Sequence, residues 1–228
     1  MRSLALLAAM TATASANPGG VPKACGPASM TRQARVTRQV RAPNGDPIAA
    51  LDRELLAYFA LAIPKGLDFN PNEPAMRRRS AAWLNAWAQR KNASAQALTA
   101  KYMAAAAVVS PDRAIEAYAR MGQIIDDYAA SLFVEPIPDQ VFTTPDAEDR
   151  AAAFCDTMTE AAEPLQERAV YYYDHCLQHA TTALVANEWS AWCELRLNQL
   201  SPENYPMREE LLGPPRAAPV IMPEPAAK

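Results

Sequence analysis

Three times this chain sets a helix-capping residue or its equivalent directly before a proline: Asp46-Pro47, Ser110-Pro111-Asp112 and Thr144-Pro145-Asp146. A short polar side chain at that place accepts a hydrogen bond from the free amides of a helix's first turn. Proline in the next position loses nothing, because its missing N–H had no partner there. Each pair therefore reads as a helix start. The acid that follows Pro111 sits at the positive end of the helix dipole and adds to the signal. Behind Ser110, the residues Ile115, Tyr118, Met121, Ile125, Tyr128, Ala129 and Leu132 recur at three- and four-residue spacing, the mark of one buried helix face.

Composition points the same way. Alanine, which loses no side-chain entropy in a helix, occurs 48 times among 228 residues, and glycine only 7 times. Few Val or Ile runs are present. Sandwiches, barrels and Gly-rich nucleotide-binding folds are thereby disfavoured, and an all-α fold is predicted. The spacing predicts seven helices, over 47–63, 73–91, 94–108, 111–133, 145–162, 164–185 and 188–200. Pro64-Lys65-Gly66 ends the first, Ser94 caps the third, Pro164 kinks or restarts the chain, and Ala186-Asn187 makes a turn. Such a series packs as antiparallel hairpins, in a bundle or a short solenoid.

The flanks differ from this body. Residues 1–16 open with Arg2, continue through the apolar run Leu4–Met10 and end in Ala14-Ser15-Ala16, the order of a signal peptide. Residues 17–46 read as a flexible basic linker with Arg32, Arg35, Arg38 and Arg41 and no acid among them, a solvated stretch before it is a binding one. The helical domain is expected over 47–213. Residues 214–228 form a Pro-rich tail with Pro214, Pro215, Pro219, Pro223 and Pro225, extended rather than packed. No later segment is apolar enough to span a bilayer, so export into the periplasm or to the periphery of an outer membrane is expected.

An oxidising compartment gives the four cysteines a role in disulfides, with three possible connectivities. Cys176 and Cys193 lie on the apolar faces of consecutive helices, nearly equidistant from the turn at Ala186-Asn187, so a hairpin brings them together. Cys25 and Cys155 are left to pair, or Cys25 stays free. The residues before Cys25 (Val21-Pro22-Lys23-Ala24) do not suit a lipid-anchoring signal.

Catalytic patterns are not apparent. There is no Gly-x-Ser-x-Gly turn, no Gly-rich phosphate loop and no Cys-x-x-Cys. Asp126-Asp127, Glu160, Glu163 and Glu167 read as surface acids, and Arg77-Arg78-Arg79 as a solvated face. The only histidines, His175 and His179, stand one helical turn apart, a spacing that can chelate Zn or Cu. No third His exists, so surface histidines are expected and a metal site is the rival reading. Tyr171-Tyr172-Tyr173 points three ways on a helix and reads as packing. Trp83, Trp87, Trp189 and Trp192 fall on apolar faces and read as core, or as interface where exposed. Residues 31–120 carry 14 basic and 7 acidic side chains, whereas 146–210 carry 4 and 13. Halves of opposite sign suit self-association or docking to a charged protein, and the formal charge of −3 speaks against a nucleic-acid binder.

Four blocks carry a resemblance: Arg120-Met121-Gly122-Gln123 through Pro136-Ile137-Pro138; Ala162-Glu163-Pro164-Leu165-Gln166-Glu167-Arg168-Ala169; Cys176-Leu177 through Asn187-Glu188-Trp189-Ser190 and Cys193; and Pro202-Glu203-Asn204-Tyr205-Pro206. In this order, over about residues 98–215, the chain resembles the C-terminal helical region of tetratricopeptide-repeat envelope proteins of myxobacterial-type bacteria. The resemblance implies paired antiparallel helices, a periplasmic place and a role in protein–protein assembly. It implies no catalytic residue, cofactor or small-molecule substrate. A clean 34-residue repeat motif does not fall in register.

Overall fold

The computed structural model describes Cys25 and residues 46–67, 72–133, 136–143 and 145–206. Among the described residues there are five α-helices: α1 (Pro47–Phe59), α2 (Pro74–Ala106), α3 (Pro111–Phe133), α4 (Ala147–Ala183) and α5 (Glu188–Leu200). A short 3-10 turn, Asp139–Thr143, lies between α3 and α4. The all-α expectation holds, and the helices pair as hairpins within a bundle.

Five helices replace the predicted seven because two expected breaks are absent. The stretch Lys91–Ser94 runs unbroken inside α2, with Ser94 mid-helix rather than at a cap. No Gly or Pro interrupts it, and Lys91 points inward, where its charge is used. Likewise α4 continues through Pro164. Proline removes one backbone bond and crowds the preceding turn, but Glu160, Ala161 and Glu163 around it are exposed, so water can satisfy the freed carbonyl. The first helix is shorter than predicted and ends at Phe59.

The starts are better matched. Asp46 Oδ1 accepts the Ile48 amide at 2.8 Å. Asn187 opens α5 with a reciprocal capping box, its side chain taking the Trp189 and Ser190 amides while Ser190 Oγ accepts from the Asn187 amide. At the other end of the same connection, α4 closes with Leu184 in the left-handed conformation, φ 55°. The Leu184 amide donates to Thr181 O and the Val185 amide to Ala180 O, the pattern of a Schellman cap.

Helix α3 is the axis of the bundle. Sixteen of its 23 residues are buried, among them Ile115, Met121, Ile124 and Ile125, and a helix buried on nearly all sides must be surrounded. Contacts fix the directions of its neighbours. Tyr118 meets Met103 near the end of α2, while Tyr128 hydroxyl donates to Ala88 O further back, so α2 runs antiparallel. Tyr118 stacks on His179 and Asp126 meets Tyr173, so α4 is antiparallel too. In contrast, α1 and α5 lie parallel to α3: Asp52 and Tyr58 reach Arg120 and Ile124, and Trp189 and Arg196 reach Arg120 and Asp126. The main core gathers Tyr102, Ile115, Met121, Ile125, Tyr173 and Leu197 around the axis. A second cluster, with Trp87, Tyr128, Phe133 and Met158, fills the end where α3 stops. Burying a side chain of this size stabilises the fold by roughly 1.5–3 kcal/mol.

All four cysteines are bonded. Cys176–Cys193 ties α4 to α5 with Cα atoms 6.4 Å apart. Cys25–Cys155 ties a residue upstream of the bundle to α4, with Cα atoms 5.0 Å apart across a sequence separation of 130. Both separations suit a disulfide.

Candidate interaction surface

Ionisable side chains in this protein fall into two groups, one inside the bundle and one on its surface, and the inner group joins helices. Lys91, fully buried on α2, donates to Asp127 of α3 at 2.6 Å and to the Tyr58 and Leu61 carbonyls at the end of α1. Its ammonium also lies 4.0 Å from the centre of the Tyr58 ring. Asp126 receives Arg196 of α5 through both oxygens, at 2.9 and 2.7 Å, together with the Tyr173 hydroxyl of α4 at 3.1 Å. Arg120 donates to Asp52 of α1 at 2.9 Å and lies over the Trp189 ring of α5. Arg113 bridges Asp46 and Glu116. Burial raises the Glu116 pKa above the usual carboxylate value, against the pull of Arg113 and Arg120.

Asp126 and Asp127 are therefore not the surface acids the sequence suggests; both are committed to cations from other helices. Sequence reasoning missed Lys91, Arg120 and Arg196 for the same reason. A charge on a helix reads as solvated until its partner, 36 or 70 residues away, is known. One signal was present: Glu116 and Arg120, one turn apart, interrupt the apolar stripe of α3.

The outer group includes both histidines. His175 and His179 project from α4 towards Tyr118 of α3. The Tyr118 and His179 rings stack with centroids 4.3 Å apart and planes within 19°. Tyr118 and His175 are stacked less closely, at 5.9 Å. Tyr171, one turn before His175, sets its ring edge-on at 4.4 Å from that imidazole and at 5.3 Å from Tyr172. Met103 of α2 completes the edge, its sulfur 3.7 Å from the Tyr118 hydroxyl. Tyr171 is 56% exposed and Met103 41%. His179 is exposed, and His175 and Tyr118 are half-buried. Burial, and then the neighbouring Tyr171, raise the Tyr118 pKa, which leaves this phenol neutral. Three helices thus present a continuous face of three aromatic and imidazole rings around Tyr118 and a thioether. Its backbone is fixed by the core beneath.

Of the three consecutive tyrosines, Tyr172 and Tyr173 are buried in the main core and Tyr171 is exposed. Trp87 and Trp189 are buried and Trp192 is half-buried. Trp83 departs from the core reading, at 39% exposure with the Arg79 guanidinium 4.3 Å over its ring. Arg77 and Arg78 are exposed, as are Glu160, Glu163 and Glu167. Among the described residues, no group of three or more His, Cys, Asp or Glu side chains is placed to hold a metal ion. Arg32, Arg35, Arg38 and Arg41 lie outside the described residues, as do residues 1–16 and the tail from Met207 onward. No described helix is long and apolar enough to cross a membrane.

Fold and face together define a five-helix, disulfide-tied bundle with one aromatic and histidine surface. Compared with protein-family models, with curated proteins and with solved structures, the chain shows no match.

Proposed function

We propose that this protein is an exported, non-enzymatic helical adaptor of a bacterial envelope, holding a protein partner on the face built by Tyr118, Tyr171, His175 and His179. The observation that carries the reading is the exposure of that face. Its rings are gathered from α3 and α4 at van der Waals separation, yet Tyr171 and His179 contribute little to the core. Aromatic side chains of this kind provide large, rigid contact area at low entropic cost and dominate protein interfaces. The buried charges, in contrast, sit between helices where they hold the scaffold. Two disulfides and an N-terminal export pattern in the sequence support the compartment. The resemblance to envelope tetratricopeptide-repeat proteins supports an assembly role.

The test is a capture from an envelope extract with residues 17–228, thiols blocked, with the Tyr171→Ala, His175→Ala variant as control and metal content read on the same samples. A stoichiometric partner held by the native chain and lost by the variant supports the adaptor. No partner, but one equivalent of Zn or Cu lost on His179→Ala, overturns it in favour of a metal-binding protein.

A further inference from the structure

Two exposed helix faces carry opposite charge that no ion pair among the described residues answers. The first belongs to α2. This 33-residue helix holds six basic side chains and no acidic one. Lys91 and Lys101 are paired, with Asp127 and Glu54. Arg77, Arg78, Arg79 and Arg90 are exposed, and among the described residues none of them forms an ion pair. Three of the four crowd the start of the helix, where the dipole is already positive, and Glu73 at the N-cap makes no side-chain capping bond. Arg79, Trp83 and Arg90 recur at four- and seven-residue spacing and share one face. The Arg79 guanidinium stands 4.3 Å over the Trp83 ring, which is 39% exposed. Arginine and tryptophan are enriched where protein contacts concentrate their energy.

The second face belongs to α4. Asp156, Glu160, Glu163 and Glu167 recur at spacings of four, three and four, and all are exposed. They lie opposite the buried stripe of Ala151, Met158, Ala162 and Ala169 and form the outward ridge of the helix. Acids at this spacing repel one another. Nearby bases are engaged elsewhere: Arg150 bonds Asp146, and the Arg168 guanidinium lies 5.9 Å from the centre of the Tyr172 ring. No ion pair among the described residues joins the ridge to the α2 arginines. Arg79 and Arg90 are eleven positions apart, as are Asp156 and Glu167. Each face is therefore about 16 Å long, and the two match in length as well as in sign.

We propose that this protein associates with itself through these faces, the Arg79, Trp83 and Arg90 face of one copy seated on the ridge from Asp156 to Glu167 of a second. The contact uses neither Tyr118 nor the histidines, so it goes beyond the adaptor reading and does not rest on it. Each face repels its own kind and attracts the other, which makes the contact heterologous. A second copy is favoured over an anionic lipid surface because the matching ridge is carried by the chain itself. Faces of this length bury less than a standard interface of about 1,600 Å². The association is accordingly weak, reversible and screened by salt.

The test is sedimentation equilibrium of the full chain, disulfides intact, over a concentration series at low and at high salt. One variant reverses the basic face (Arg78→Glu, Arg79→Glu, Arg90→Glu) and another the ridge (Glu160→Lys, Glu163→Lys, Glu167→Lys). The expected result is a mass that rises above the monomer with concentration for the native chain and falls with salt. Each variant alone weakens association by about a hundredfold or more, because like charges then face each other. An equimolar mixture of the two associates again, since every facing pair of surfaces is once more opposite in sign. Where circular dichroism shows a reversal to unfold the helices, Arg79→Gln with Arg90→Gln, or Glu160→Gln with Glu163→Gln, replaces it, and a weakening of about tenfold is expected. A native chain that stays monomeric at low salt overturns the proposal. So does association that survives either variant, or a mixture of folded variants that stays monomeric. Binding of a monomeric native chain to phosphatidylglycerol vesicles, lost on reversing the basic face, overturns it in favour of a lipid surface.

Discussion

Gly122 and Tyr173 meet with no room between them: a Cβ added at Gly122 would stand 2.5 Å from Tyr173 Cε1 and 2.6 Å from Cδ1. The ring cannot retreat, because it is fully buried and its hydroxyl is tied to Asp126. This close approach lets α4 lie tightly against α3. Gly122→Ala improves intrinsic helix propensity by about 1 kcal/mol, but overpacking of a filled core costs typically about 1–3 kcal/mol. The expected outcome is a net loss, read as a lower thermal midpoint. A Gly122→Ala, Tyr173→Leu double variant should recover part of it; a Gly122→Ala protein as stable as the native one would show that the helices can separate freely.

Arg196 and Asp126 form an ion pair between α5 and the axis of the bundle. Removing one member of a buried pair leaves the other without its counter-charge, at a cost of about 3–5 kcal/mol. Arg196→Ala should therefore destabilise strongly in urea unfolding. Arg196→Leu with Asp126→Leu should cost much less than the sum of the two single changes. Additive costs would show that the pair is solvated in solution.

Leu184 is 91% exposed and holds a left-handed backbone. A branched side chain in that conformation costs about 1–2 kcal/mol, which glycine avoids. Since no apolar contact is lost, Leu184→Gly is expected to stabilise the protein by about 1 kcal/mol. A decrease in the unfolding midpoint would contradict this.

Tyr58, Tyr102 and Tyr173 are buried, and burial, reinforced by Asp127, Asp52 and Asp126 respectively, raises their pKa values above the ordinary 10.0. Folded pKa values above the unfolded ones mean that the folded state keeps these protons longer. Their contribution to stability is complete below pH 10 and falls as pH rises beyond it. Tyrosinate absorbance should therefore appear in two stages, exposed phenols first and the buried ones together with loss of helical circular dichroism. A single smooth titration with the helices intact would refute it.

Peptide mapping without reduction should recover Cys25 linked to Cys155 and Cys176 linked to Cys193. The Cys176→Ser, Cys193→Ser variant, which opens a short loop, should lose about 3 kcal/mol on the chain-entropy estimate. Any other pairing in the folded protein would contradict the hairpin of α4 and α5.

Local signals in the sequence carried much of the fold. Asp46-Pro47, Ser110-Pro111 and the turn before Glu188 mark helix starts through bonds made within a few residues. The packing role expected of the consecutive tyrosines is met by Tyr172 and Tyr173, which lie in the main core, while Tyr171 is exposed. Continuity at Lys91–Ser94 and through Pro164 was not legible, since it depends on what α2 and α4 pack against. The candidate face was half legible. His175 and His179 were visible as a pair, but Tyr118 lies more than fifty residues upstream, and only the antiparallel packing of α3 and α4 sets its ring on theirs. The inward turn of Asp126 and Asp127 was hidden in the same way, because their cations come from other helices.

The two disulfides join cysteines in strict order along the chain: the first to the second, the third to the fourth. A polypeptide threaded through a membrane amino end first would present Cys25 alone until Cys155 arrives, and Cys155 would find its mate already waiting. Only afterwards would Cys176 and Cys193 emerge, 17 residues apart, with no other thiol left to compete. An oxidase that bonded thiols in the order they appear would reach this connectivity without an exchange step.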